Sequence, residues 1–189
     1  MQMIVKETAI PGCFEIFPRI LRDERGVFVK TFHYDAFLRH NLNIDWREEY
    51  YSISYCGVLR GLHFQLPPHD HEKLVYCTAG SVLDTVVDLR KGSPVYGQHI
   101  QLELSAATGN MLYLPRGLAH GFYVLSESAT MHYKVSSVYS SEFDAGILWS
   151  SAGIQWPDAN PKISSRDSSF PDLGHFSSPF SFINDCAPL

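Results

Sequence analysis

Apolar residues recur along this chain in short runs rich in β-branched and aromatic side chains, broken by Gly, Pro, Asn and Ser. Runs of this kind predict strands at Phe14–Pro18, Val27–Phe32, Lys73–Cys77, Val82–Leu89, His99–Leu104, Met111–Leu114, Phe122–Leu125 and Met131–Val138. The stretch VLDTVVDLR alternates, with Val82, Asp84, Val86 and Asp88 on one side and Leu83, Thr85, Val87 and Leu89 on the other. Only Tyr34–Asn43 reads as a short helix, with Tyr34, Phe37 and Leu38 on one side. Many short strands at fairly regular spacing predict an all-β fold, a jelly roll or barrel. No internal repeat or low-complexity segment interrupts them.

The pattern weakens from Pro157 onward, where Ser and Pro become frequent. Phe170, Leu173, Phe176, Phe180 and Phe182 supply anchors that a disordered tail would not need, so residues 157–189 are expected to be an arm packed on the barrel. With 189 residues the chain is expected to form a single domain, residues 1–189. Hydrophobic content of 45% and charged content of 19% fit a globular protein. A net charge of -5 argues against non-specific nucleic-acid binding. No apolar run is long enough for a membrane helix, and the first residues lack the basic and apolar regions of a signal peptide, so a cytoplasmic location is expected. Cys13, Cys56, Cys77 and Cys186 form no CxxC pair and are expected to be reduced, buried or incidental.

The candidate chemistry lies in GVLRGLHFQLPPHDHEKLVYCTAG, Gly57 to Gly80, and in GNMLYLPRGLAH, Gly109 to His120. The second has the spacing of a cupin, a small β-barrel that commonly holds a metal. In the first, a metal-binding cupin would place two histidines and a glutamate. Here His63 occupies the first of these positions, Gln65 stands for the second histidine and Lys73 for the glutamate. An ammonium repels a cation and offers it no lone pair. The expectation is therefore a cupin-like barrel with no metal, whose ligand positions are His63, Gln65, Lys73 and His120. His69 and His71 lack further ligands at suitable spacing and are expected to be solvent-exposed loop residues.

Imidazole titrates near neutrality and can abstract a proton, while an ammonium stabilises negative charge on a nearby oxygen. Together they suit proton removal from a carbon beside a carbonyl. For a lone histidine in a strand, a satisfied core residue would be the simpler reading; several such groups clustered together favour chemistry.

The segments DERGVF, GVLRGLHFQLPP, KLVYCTAGSVLDTVVDLRKGSPVYG, LPRGLAHGF, YKVSSVY, GIQWP and ISSRD, in this order, resemble the dTDP-4-dehydrorhamnose 3,5-epimerase family over about Pro11 to Pro171. The resemblance implies a nucleotide diphospho-4-keto-6-deoxyhexose substrate, no cofactor, a pathway supplying deoxysugars for surface polysaccharide such as lipopolysaccharide O-antigen, and a homodimer that exchanges an N-terminal strand. It implies His63 as base, Asp167 as the carboxylate that orients it, Tyr133 as acid on the opposite face of the sugar and Lys73 as stabiliser of the enolate. Arg60 would grip the diphosphate, with Arg25 as a second candidate. Arg25 and Phe28 would serve the neighbouring subunit's site. His120 would contact sugar or phosphate, and Tyr139 and Phe28 would face the base or simply pack. Strand alternation puts Arg60 and His63 on opposite faces, so Gly61 or a local twist must bring them together.

This chain departs from the family where the base is contacted. Lys30 replaces a glutamate, Glu48 a glutamine and Tyr50 an asparagine. A carboxylate only accepts hydrogen bonds, which suits the amino group of cytosine better than thymine. CDP is thus an alternative to dTDP; a salt bridge exchanged between Lys30 and Glu48 is the other explanation. Two further alternatives are a nucleotide-sugar 3,4-ketoisomerase and a non-catalytic sugar-nucleotide-binding protein.

Overall fold

The computed structural model describes residues 3–183. Two antiparallel sheets face each other. One runs in the order β1 (Ile4–Glu7), β2 (Phe14–Phe17), β10 (Met111–Leu114), β7 (Lys73–Ala79), β12 (Ser128–Val135) and β5 (Glu48–Tyr55). The other runs β13 (Asp144–Gly146), β6 (Leu59–Gln65), β11 (Leu118–Val124), β8 (Ser81–Asp88) and β9 (His99–Ser105). A separate hairpin pairs β3 (Ile20–Asp23) with β4 (Gly26–Val29).

The space between the sheets is filled by Val75, Cys77, Leu112 and Met131 from one side and Val82, Val86, Leu104, Phe122 and Val124 from the other. The outer faces are covered too. Phe37 from helix α1 (Tyr34–Arg39) packs on Leu74, Tyr76, Met111 and Tyr113. On the opposite side the C-terminal arm lays Phe180, with the half-buried Leu173 and Phe176, against Leu62, Phe64, Val87 and Leu89. Each fully buried side chain of this size contributes about 1.5–3 kcal/mol. Double coverage explains why β11 is buried at every position and why β8 hides both of its faces, rather than one as its alternation suggested.

Each predicted strand overlaps an observed one; Met111–Leu114 matches at both ends and the others have shifted ends. Val27–Phe32 is cut to Val29, and β11 and β12 begin earlier than Phe122 and Met131. The expected helix Tyr34–Asn43 ends at Arg39, and Asn41 takes a left-handed conformation at φ 53. Its buried residues are Ala36 and Phe37, whereas Tyr34 and Leu38 are exposed, because only one narrow face of so short a helix meets the sheet. Strands β1, β3, β5, β6 and β13 lay outside the predicted runs. In β5 the usual pattern is inverted. Glu48, Tyr50 and Ser52 line the interior cavity, while Tyr51, Ile53 and Tyr55 point outward and are exposed. Cys13 and Cys77 are buried and Cys56 is exposed; Cys186 lies outside the described residues.

Candidate active site

The site begins with a bulge. His120 on β11 pairs with His63 on β6, and Phe122 pairs with Arg60, so Gly61 and Leu62 together oppose Gly121. The extra residue turns Arg60 and His63 to the same side, which removes the conflict of parity in the sequence pattern. Gly61 has φ +134, and a Cβ there would lie 2.6 Å from Gly121 Cα and 3.0 Å from the His120 carbonyl oxygen. Only glycine fits this close backbone approach.

Between the sheets opens a cavity of about 360 Å³. Glu48, Tyr50, Lys73 and Tyr133 enter it from the six-stranded sheet, and Arg60, His63, Gln65 and His120 from the five-stranded one. Tyr139, Asp144 and Arg166 complete the wall. A concave site of this size with convergent polar groups suits a small ligand.

His63 Nε2 lies 3.0 Å from Asp167 Oδ1. Asp167 sits in the short helix α2 (Ser165–Ser168), whose first turn is fixed when the Asp167 amide donates to the Ser164 hydroxyl at 3.1 Å. The Gly61 amide donates to Asp167 Oδ2 at 3.0 Å, and Arg166 Nε donates to Oδ1 at 3.1 Å. Burial works to raise the Asp167 carboxyl, but His63, the Gly61 amide and Arg166 hold it well below the usual carboxylate range. Burial lowers the His63 pKa from 6.5, against the pull of Asp167, and Lys73 and Arg166 add to the lowering. The imidazole is therefore an unprotonated base at neutral pH.

From the facing sheet, the Tyr133 hydroxyl comes within 3.3 Å of Ser52 Oγ. Its ring stacks on Tyr50 at 4.8 Å and 17°. Burial pushes the phenol well above its ordinary range, so it keeps its proton. Lys73 Nζ donates to the His63 carbonyl oxygen at 3.3 Å, and burial lowers its pKa to about 8. An unprotonated imidazole and a protonated phenol thus line one cavity from opposite sheets, with the Lys73 amino group close to the His63 backbone.

Gln65 lines the cavity but spends its amide on the His69 carbonyl and the Ser140 amide, at 2.9 and 2.7 Å. The Glu48 carboxylate accepts from the Tyr139 amide at 2.7 Å. Within the chain the expected Lys30–Glu48 bridge is not formed. Arg25, Phe28 and Lys30 sit on or beside the β3–β4 hairpin, away from the cavity; Arg25 pairs instead with Asp23 at 2.6 Å. His69 and His71 are half-buried, not exposed. His69 stacks on Phe143 at 4.7 Å, and His71 Nδ1 lies 3.1 Å from Ser137 Oγ. Burial, reinforced by Lys73 and Arg116, lowers His71 to about 3.

Four polar groups of the cavity wall went unassigned in the sequence, Ser52, His71, Asp144 and Arg166, as did Asp84 behind His120. Arg166 ties the wall together, donating to Asp144 at 2.6 Å while its Nη2 stands 2.7 Å from His63 Nε2. Its place beside Asp167 in ISSRD was the available signal. Asp84, fully buried behind the cavity wall, stands 2.8 Å from His120 Nε2. A carboxylate among the apolar residues of VLDTVV was the signal there. Among the described residues, no group of three or more His, Cys, Asp and Glu side chains could hold a metal ion. No helix among them is long and apolar enough to cross a membrane.

A jelly roll of cupin type around such a cavity defines an isomerase of the carbohydrate-epimerase class. The sequence model of the dTDP-4-dehydrorhamnose 3,5-epimerase family matches residues 7–175, and the chain belongs to that family. It is 42% identical over 168 residues to dTDP-4-dehydrorhamnose 3,5-epimerase of Shigella flexneri, covering 87% of this chain and 93% of that one. The crystal structure of dTDP-6-deoxy-D-glucose-3,5-epimerase from Legionella pneumophila, in complex with dTDP-4-keto-L-rhamnose, superposes with a TM-score of 0.91 at 33% identity, over 96% of this chain and 100% of that chain. A 3'-monoepimerase from Streptomyces bikiniensis, in complex with dTDP-quinovose, superposes with a TM-score of 0.84 at 31% identity, over 88% and 86% of the two chains.

Proposed function

We propose that this protein epimerises a nucleotide diphospho-4-keto-6-deoxyhexose without cofactor or metal. His63 removes a proton from carbon beside the C4 ketone, Lys73 stabilises the resulting enolate, and Tyr133 returns a proton to the opposite face. Asp167 orients His63 and stabilises the imidazolium as it forms. The observation that carries this reading is the placement of a neutral imidazole and a protonated phenol on opposite sheets of one cavity. Arg60 and Tyr139 fit the roles of diphosphate and base contacts, since both line the same cavity.

The experiment is solvent exchange. Candidate 4-keto sugars are incubated with the protein in heavy water and the label is located. Label at C3, C5 or both is expected; an absence of label at either carbon with every 4-keto substrate rejects the reading.

The nucleotide is dTDP in the relatives named above, and the same is the first candidate here. Glu48 keeps CDP as a second reading, because an acceptor-only carboxylate lines the cavity where the family carries an amide. The partner is proposed to be a second copy of this chain. The exposed Tyr51, Ile53 and Tyr55 on edge strand β5 support that reading. An exchanged N-terminal segment would carry Arg25, Phe28 and Lys30 to the neighbouring cavity. Sedimentation equilibrium giving a monomer at micromolar concentration rejects it.

A further inference from the structure

A second His–Asp pair, with its histidine in the cavity wall, is not used by the proposed mechanism. His120 Nε2 stands 2.8 Å from Asp84 Oδ2, and both side chains are buried. Asp84 alternates on β8 with Val82 and Val86, which belong to the core between the sheets. Its other oxygen, Oδ1, is buried without a hydrogen-bond partner. Burial pushes the Asp84 carboxyl up, while His120 and Lys73 work to hold it down. Packing alone would be served better by a third aliphatic residue at this position. A buried carboxylate left half-satisfied is costly and calls for a reason outside stability.

The reason lies in the second ring nitrogen. His120 lines the cavity, and its Nδ1 makes no hydrogen bond to the described residues. The titratable groups around it are His63, its partner across the strands, Tyr133, whose ring centroid is 6.4 Å away, Lys73 on the cavity wall and Asp84 itself. In its carboxylate form Asp84 only accepts, and in that form it draws the imidazole proton to Nε2. A neutral imidazole in that tautomer leaves a lone pair on Nδ1.

We propose that Asp84 is a positioning residue that fixes the His120 tautomer, so that Nδ1 accepts a hydrogen bond from a ring hydroxyl of the sugar. This rests on the epimerase reading above. A ketone oxygen also only accepts and cannot pair with Nδ1; its partner is the Lys73 ammonium. Lys73 and His120 therefore make opposite demands on the substrate's oxygens, one taking the ketone and the other a hydroxyl. Together they set which carbon of the ring lies against His63.

The first test needs no substrate. In ¹⁵N-histidine NMR of the wild-type protein at neutral pH, His120 is expected to carry its proton on Nε2 alone; a proton on Nδ1 overturns the proposal. The second test compares Asp84→Asn with Asp84→Ala in the heavy-water assay. Asparagine can still accept from Nε2, so it is expected to retain kcat within about tenfold. Alanine frees the ring, and kcat is expected to fall about 100-fold, with a changed ratio of label at C3 and C5. Equal kcat and an unchanged label ratio in the two variants, with thermal melts showing both folded, overturn it. Should wild type exchange no label at all, the epimerase reading fails, while the NMR result still decides the tautomer.

Discussion

His63 and Tyr133 stand on opposite sheets and face one cavity, the imidazole from β6 and the phenol from β12. A planar sugar enolate held between them has one face toward each. Inversion needs proton removal from one face and return on the other, so the two residues are expected to separate in their mutant behaviour. His63→Ala should abolish label uptake from heavy water, with a loss of at least about 10²–10⁴-fold. Tyr133→Phe should keep label uptake but lose net inversion, because abstraction survives when delivery on the far face does not. NMR of the recovered sugar distinguishes the two outcomes, and full activity of His63→Ala would remove the base from His63.

Asp167 is proposed to act through His63, and its two oxygens are already tied to Gly61, Arg166 and the imidazole. Asp167→Asn should lower kcat by about 100-fold while leaving KM within a few-fold, since the amide cannot stabilise an imidazolium. Steady-state kinetics check this; a rise in KM alone would make Asp167 a binding group.

The pH dependence follows from two depressed values. A base works in its deprotonated form, so lowering the His63 pKa below 6.5 extends activity toward acid pH. An ammonium works in its protonated form, so lowering Lys73 to about 8 cuts activity from the alkaline side. The kcat profile is expected to be bell-shaped, with its alkaline limb near pH 8. Lys73→Arg, which stays charged, should lower the plateau and remove that limb. A wild-type profile flat to pH 10 would contradict the role of Lys73.

Gly61 carries the bulge that aligns Arg60 with His63. A methyl group there meets Gly121 Cα at 2.6 Å in a backbone conformation with φ +134. Gly61→Ala should therefore cost more than about 2 kcal/mol of stability and should impair both diphosphate binding and catalysis. Urea unfolding and calorimetric titration with dTDP measure the two effects.

Glu48 offers a sharp test of nucleotide choice. Glu48→Gln restores a donor beside the cavity and is expected to shift binding toward dTDP over CDP by about 1 kcal/mol. Isothermal titration calorimetry with both nucleotides gives the ratio; an unchanged ratio means the carboxylate does not read the base.

The short apolar runs were enough to show an all-β fold, because a strand in a covered sheet must be apolar wherever it meets a layer. They failed at β5, where polar Glu48 and Ser52 face inward and Tyr51, Ile53 and Tyr55 face outward. An edge strand that lines a ligand cavity inverts the rule that apolar residues point in. The helix was overextended because Asn41, itself a helix-stop residue that turns left-handed, was read through.

Residue type and spacing alone fixed the exchange of a metal ligand for Lys73, since charge is a property of the side chain wherever it sits. The family motifs likewise named His63, Tyr133 and Asp167 one by one. Distance was decided only by the folded chain: Arg60 and His63 share a face through a bulge that pairing with β11 creates. Asp84 meets His120 because β8 and β11 run side by side, and Arg166 reaches Asp144 and His63 because the arm returns to the barrel. Contacts between segments remote in sequence arise from sheet register and packing, and neither is written in any local stretch of residues.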